Sequence, residues 1–123
     1  MPQIEISTGE LLDKITILKI KKENIKDIEK LNHINKEIET LKEKAEEFFK
    51  NPEIKSVTNE LLLVNKKLWD IEDKLRILEK LKKFDDEFTE LARQVYKTND
   101  ARFALKNKVN IITNSLLKEQ KSY

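Results

Sequence analysis

Positive charge in this chain is carried almost entirely by lysine. Of its 25 basic residues only three are arginine, namely Arg76, Arg93 and Arg102, and all three fall in one stretch of the second half. Arginine differs from lysine in its flat, bidentate donor fork and permanent charge, which suit carboxylate or phosphate recognition. Arg102 also breaks a pattern. With Thr98 it interrupts an otherwise apolar row of Phe88, Leu91, Val95, Leu105, Val109, Ile112 and Leu116. An unpaired guanidinium is costly to bury, so Arg102 must be paired or open onto a cavity. Upstream, Asn65, Trp69, Glu72 and Arg76 recur at i, i+4, i+7 and i+11, one side of a helix, with Asp70 and Asp73 among them. Tyr96, Asn99 and Lys106 run along the matching flank of the later row. The candidate ligand-binding set is therefore Trp69, Asp70, Asp73, Arg76, Arg93, Tyr96, Asn99 and Arg102. Two readings stand: buried Arg–Asp links that fix helix register, or an anion-binding site in the middle of a bundle. A mixed outcome is expected, in which Asp73 pairs Arg93 structurally while Arg102 is presented to a ligand.

A second candidate lies near the start. Ser7-Thr8-Gly9-Glu10 is a Ser-x-x-Glu capping box, expected to open a helix with Glu10 reaching back to Ser7. The hydroxyls of Ser7 and Thr8, the single Gly9 and the free N–H groups of a helix N-terminus also make a low-ranking anion site. Glu72, Asp70 and Asp73 could hold a hard cation, but no second carboxylate motif accompanies them, and neither a metal nor a cofactor is assigned. His33, near the tip of the first hairpin, reads as solvated. So do the basic clusters Lys19-Ile20-Lys21-Lys22 and Lys80 to Lys83, whose neighbours include balancing acids.

The elements that must position these residues follow from the hydrophobic period. Leu11, Ile15, Leu18, Lys22 and Ile25 form one row; Leu31, Ile34, Ile38, Leu41, Ala45 and Phe48 form a second. Asp27 is a plausible cap between them, and Asn51-Pro52 ends the second row and starts a third. The third runs Val57, Leu61, Val64, Leu68, Ile71, Leu75 and Leu78, and Phe84-Asp85-Asp86 separates it from the fourth. Helices are predicted at about 8–26, 28–50, 53–83 and 85–119. The pairs 78/88, 71/95, 64/102 and 57/109 share one index sum, as do 25/31, 18/38 and 11/45. Rows that mirror about a turn in this way mark two packed antiparallel helical hairpins. At 1.5 Å per residue the second hairpin outreaches the first by roughly 15 to 20 Å. The overhang would leave Leu78, Leu81, Phe84 and Phe88 wet, so a homodimer or higher homo-oligomer is expected.

Composition removes most alternatives. The chain has 123 residues and is expected to form one all-α helical-bundle domain over 1–123. It has no Cys, which excludes disulfides, thiolate zinc sites and Cys nucleophiles. One Gly and two Pro exclude glycine-rich phosphate loops and disfavour β-rich folds. Twenty-five basic against 23 acidic residues leave a net charge of +2, without the clustered excess of a nucleic-acid binder. No apolar run is long enough to span a bilayer, and MPQIEISTGE has no secretory pattern, so a cytoplasmic protein is expected.

The blocks ISTGELLDKITILKIK, LWDIEDKLR, ELARQVYKTNDARFALKNKVN and the terminal EQKSY resemble an uncharacterised family of short bacterial and phage helical proteins, a domain of unknown function. The resemblance covers most of the chain apart from 23–59. It implies a shared helical fold and marks Trp69, Asp70, Glu72, Asp73, Arg76, Arg93, Tyr96, Asn99, Asp100 and Arg102 as motif positions, without supplying an activity. LWDIED and Asn-Asp-x-Arg also resemble a second uncharacterised helical family, associated with sugar and surface-polysaccharide genes. The function expected is binding of a small anionic ligand or a protein partner through the Arg/Asp/Asn cluster. The alternative is a small all-helical enzyme acting on an anionic metabolite, although no nucleophile, base and orienting group can be assembled at defined spacing.

Overall fold

Each of the four α-helices among the described residues begins at a side chain that accepts the first free N–H groups. The computed structural model describes residues 5–114. Ser7 caps α1 (Thr8–Asn24), its Oγ accepting from the Glu10 N–H at 3.1 Å. Asp27 caps α2 (Ile28–Ala45), accepting from the Glu29 and Lys30 N–H groups at 3.0 and 3.3 Å. Asn51 caps α3 (Pro52–Lys80) with Pro52 in its first turn, and Asp85 caps α4 (Asp86–Ile112). α2 stops at Ala45, short of the predicted residue 50, and a 3₁₀ turn over Phe48–Lys50 follows. The tighter turn sends Phe48 and Phe49 inward against the core. α3 likewise ends before residue 83. Lys82 adopts φ 54°, and the Lys83 N–H donates to the Leu78 carbonyl at 2.9 Å, the 6→1 bond that closes a helix. The terminal EQKSY block and the predicted end of the fourth helix at 119 lie outside the described residues.

The fold is an all-α bundle with no strand among the described residues. Short connections make α1/α2 and α3/α4 antiparallel hairpins, and each buries its mirrored rows. Leu11 with Ala45 and Val57 with Val109 meet in one core, together with Leu12, Ile15 and Ile54. Leu18 and Ile38 meet in a second, with Ile34. Each such side chain contributes roughly 1.5–3 kcal/mol on burial. The two hairpins are not equal partners, because α1 packs on α2, α3 and α4 whereas α2 packs closely on α1 alone. α1 therefore lies in the groove between α3 and α4, and α2 lies outside it. With 17 residues against 29, α1 is shorter than α3 by roughly 18 Å. Past its end the α3/α4 groove continues uncovered, lined by Leu75, Arg76, Glu79, Lys80, Phe88 and Ala92. Among the described residues no helix is long and apolar enough to cross a membrane.

Candidate functional site

The one glycine of the chain sets how deeply α1 sits. A Cβ at Gly9 would stand 2.3 Å from the Lys106 carbonyl oxygen, so only glycine lets the two helix backbones approach this closely. The Gly9 N–H, one of the orphan donors of the first turn, donates to the Asn110 Oδ1 at 2.7 Å. Asn110 is fully buried, and its Nδ2 has no partner. Counting on from Gly9 by four, three and four residues gives Asp13, Thr16 and Ile20, a stripe of α1 aimed at α3 and α4.

Asp13 is the centre of that stripe. It is wholly inaccessible to solvent, yet its carboxylate is saturated with donors. Arg102 of α4 grips it with both arms of the guanidinium: Nε donates to Oδ1 at 2.9 Å and Nη2 to Oδ2 at 2.5 Å. Asn65 of α3 donates to Oδ1 at 2.8 Å and to the Thr16 Oγ1 at the same distance, while the Thr16 hydroxyl donates to the Asp13 carbonyl. Lys106, one turn beyond Arg102, brings its Nζ to 3.8 Å from Asp13 and 2.6 Å from the Glu10 carboxylate. Two carboxylates of α1 and two cations of α4 thus form a charge-balanced cluster centred on buried Asp13, and Asn65 ties α3 to it. Bidentate pairing of this kind offsets the desolvation that an isolated charge would suffer.

Besides Glu10, whose side chain is 36% exposed, Arg102 is the member of the cluster that most reaches solvent. Its side chain is 25% exposed, against 0% for Asp13 and 10% for Lys106. It opens onto a cleft of about 200 Å³ whose other walls are Ile17, Ile20, Asn65, Leu68, Trp69 and Glu72. The cleft has an aliphatic floor, one indole, one guanidinium and one carboxylate.

A model of the family described as "Family of unknown function (DUF6165)" matches residues 2–123. The chain belongs to this family. Neither the curated proteins nor the solved structures yield a match. In this DUF6165 chain the residues singled out by sequence divide into two groups. Trp69 and Arg102 meet at the cleft, where Glu72 joins them. Asp70, Asp73, Arg76, Arg93, Tyr96 and Asn99 are all exposed on α3 and α4. The expected Asp73–Arg93 link is not formed. Arg76 instead takes Asp73 at 2.9 Å and Glu72 at 3.8 Å, and Arg93 takes Glu90 at 3.9 Å, each along its own helix. A shared index sum puts residues at one level of a hairpin but not on its inner face. Exposed side chains then choose i, i+3 and i, i+4 neighbours.

The acid of Arg102 is Asp13, not Asp70 or Asp73. Sequence reasoning passed over it because mirrored rows relate only helices joined by a turn, and α1 meets α4 across the whole chain. The available signal was an acid set among Leu11, Leu12, Ile15 and Thr16, inside the ISTGELLDKITIL block and one turn after the only glycine. At the α1 N-terminus, Ser7 is buried and caps as expected, and Thr8 is half-buried. The Gly9 and Glu10 N–H groups are engaged by Asn110 and Ser7. The Glu10 carboxylate, expected to reach back to Ser7, pairs with Lys106.

Proposed function

We propose that this DUF6165 chain is a helical binding module that takes a small, carboxylate-sized or phosphate-sized anion in the cleft between Trp69 and Arg102. The observation that carries the reading is the double life of Arg102, whose fork is fixed by wholly buried Asp13 while a quarter of the side chain faces the cleft. A guanidinium immobilised in this way loses little conformational entropy on engaging a ligand, which is the usual advantage of a pre-organised site. Asn65 stands between Asp13 and the cleft and orients the same edge. Binding without chemistry fits a site that brings together a guanidinium, an indole and a carboxylate but no nucleophile beside a base.

A thermal-shift screen of inorganic phosphate, acetate and phosphorylated sugars tests the reading. An anion that raises the melting temperature of the wild type should lose most of that shift in Trp69→Ala, a variant that leaves the Asp13 cluster intact. A panel that shifts neither protein contradicts it.

Self-association through the overhang belongs to the same proposal. Ile77, Leu81 and Phe84 are each more than half exposed there, at the end of the groove that α1 leaves uncovered. Light scattering at micromolar concentration should return about twice the 14.6 kDa chain mass. The monomer mass would contradict it.

A further inference from the structure

The standing-off of α2 from α3 opens a second and larger cleft, on the opposite side of α1 from Arg102. Its volume is about 750 Å³, within the range of small-molecule sites. Lys19 of α1 lies half-buried in it. Glu39, Lys42 and Glu43 of α2 with Glu46 just beyond it form one wall, and Phe49 of the 3₁₀ turn closes an end. Lys55, Thr58 and Asn59 of α3 form the other wall. The Thr58 hydroxyl donates to the Ile54 carbonyl, which leaves its oxygen lone pairs directed away from its own helix.

The charges of this cleft are arranged unlike those of the Asp13 cluster. Lys14 of α1 and Lys66 of α3 each find a glutamate partner. Among the described residues, Lys19, Lys42 and Lys55 have no carboxylate within 4.0 Å, although three glutamates share the cleft. Lys19 and Lys42 line the same cleft. Burial first, and then the Lys42 ammonium, hold the Lys19 amine below its ordinary value of 10.5. Glu39, Glu43 and Glu46 are exposed and screened by water. A half-buried ammonium with no carboxylate partner among the described residues, lining the same cleft as a second ammonium, is an unfavourable arrangement that an anion placed between them relieves.

We infer that the α1–α2–α3 cleft is a binding site for a small organic anion, with its carboxylate or phosphate between Lys19 and Lys42 and its apolar body against Phe49. Charge-assisted hydrogen bonds from the two ammonium groups supply the polar anchor. The Phe49 ring supplies an apolar wall that inorganic phosphate cannot use. This site shares no lining residue with the Trp69–Arg102 cleft, so either can stand without the other.

The test is an amide and side-chain NMR titration of the full chain with phenyl phosphate, run beside inorganic phosphate and benzyl alcohol. Phenyl phosphate should shift Phe49, Thr58 and Asn59 signals saturably, and more tightly than either of the other two. Lys19→Met and Lys42→Met should each weaken it about tenfold, as expected for loss of one charge-assisted contact. Lys30→Met, which removes the same charge from an exposed position outside the cleft, should leave it unchanged. The two cleft variants remain foldable because they remove an unpaired charge. Equal binding of inorganic phosphate, equal weakening by Lys30→Met, or no saturable shift at Phe49 and Thr58 would each overturn the assignment.

Discussion

Replacing Arg102 by methionine removes a guanidinium from a carboxylate that water cannot reach. Asp13 would keep Asn65 at 2.8 Å and Lys106 at 3.8 Å, but would lose both of its bonds from the guanidinium. Breaking a buried pair from one side typically costs ~3–5 kcal/mol. That is a large share of the roughly 5–15 kcal/mol by which a domain is stable. With a urea slope of about 2 kcal/mol per M, the unfolding midpoint should fall by roughly 2 M. Asp13→Leu should cost a comparable amount, because it takes from Arg102 its buried carboxylate and from Lys106 a neighbouring acid. The double variant should then be markedly more stable than the summed losses, with a coupling of about 2 kcal/mol or more. Urea unfolding followed by helical circular dichroism, at constant slope, measures all four corners of the cycle. A loss under about 1 kcal/mol for Arg102→Met, or additive single effects, would refute the claim that this pair locks α1 into the α3/α4 groove.

Three further outcomes follow from the same geometry. Gly9→Ala should destabilise by about 2 kcal/mol or more in urea unfolding, although alanine is the better helix former by ~1 kcal/mol, because the new methyl meets the Lys106 backbone at 2.3 Å. Ser7→Ala should cost about 1 kcal/mol through the lost bond to the Glu10 N–H, measured the same way. Lys19→Met should raise the melting temperature at pH 7. The folded-state amine titrates below the unfolded value of 10.5, so the unfolded chain binds more protons between those limits. The wild type therefore gains stability as pH rises through that window, and the advantage of Lys19→Met should shrink across it in a series of melting curves.

Much of the architecture was legible because helices report themselves locally. Caps at Ser7, Asp27 and Asn51, and the apolar rows between them, follow from neighbours a few residues apart. The mirrored rows also placed Leu11 against Ala45 and Val57 against Val109. What the rows could not say is how one hairpin meets the other. Nothing periodic links Gly9 to Asn110, or Asp13 to Asn65 and Arg102, at separations of 101, 52 and 89 residues. Arg102 stood out because a charge in an apolar row demands a partner, and the demand was correct although the partner was not. Lys19 was read as one of a solvated cluster. Its half-burial arises only because α2 stands off from α3, a tertiary fact with no local signature. The ends of α2 and α3 moved inward for similar reasons, Phe48 and Phe49 turning to the core and Lys82 entering the left-handed region.

The most direct measurement of the central claim watches the two groups that would hold the ligand. The Arg102 Nε–H and the Trp69 indole N–H give resolved signals in a proton–nitrogen correlation spectrum, and the first is protected by its bond to Asp13. Titrating acetate and inorganic phosphate into the full chain should move both signals together along one saturable curve. The Arg102 shift should vanish in Trp69→Ala while the Gly9 signal of the buried cluster stays in place. If neither signal moves at saturating anion, Arg102 serves only to hold Asp13, and the binding function assigned to this cleft is wrong.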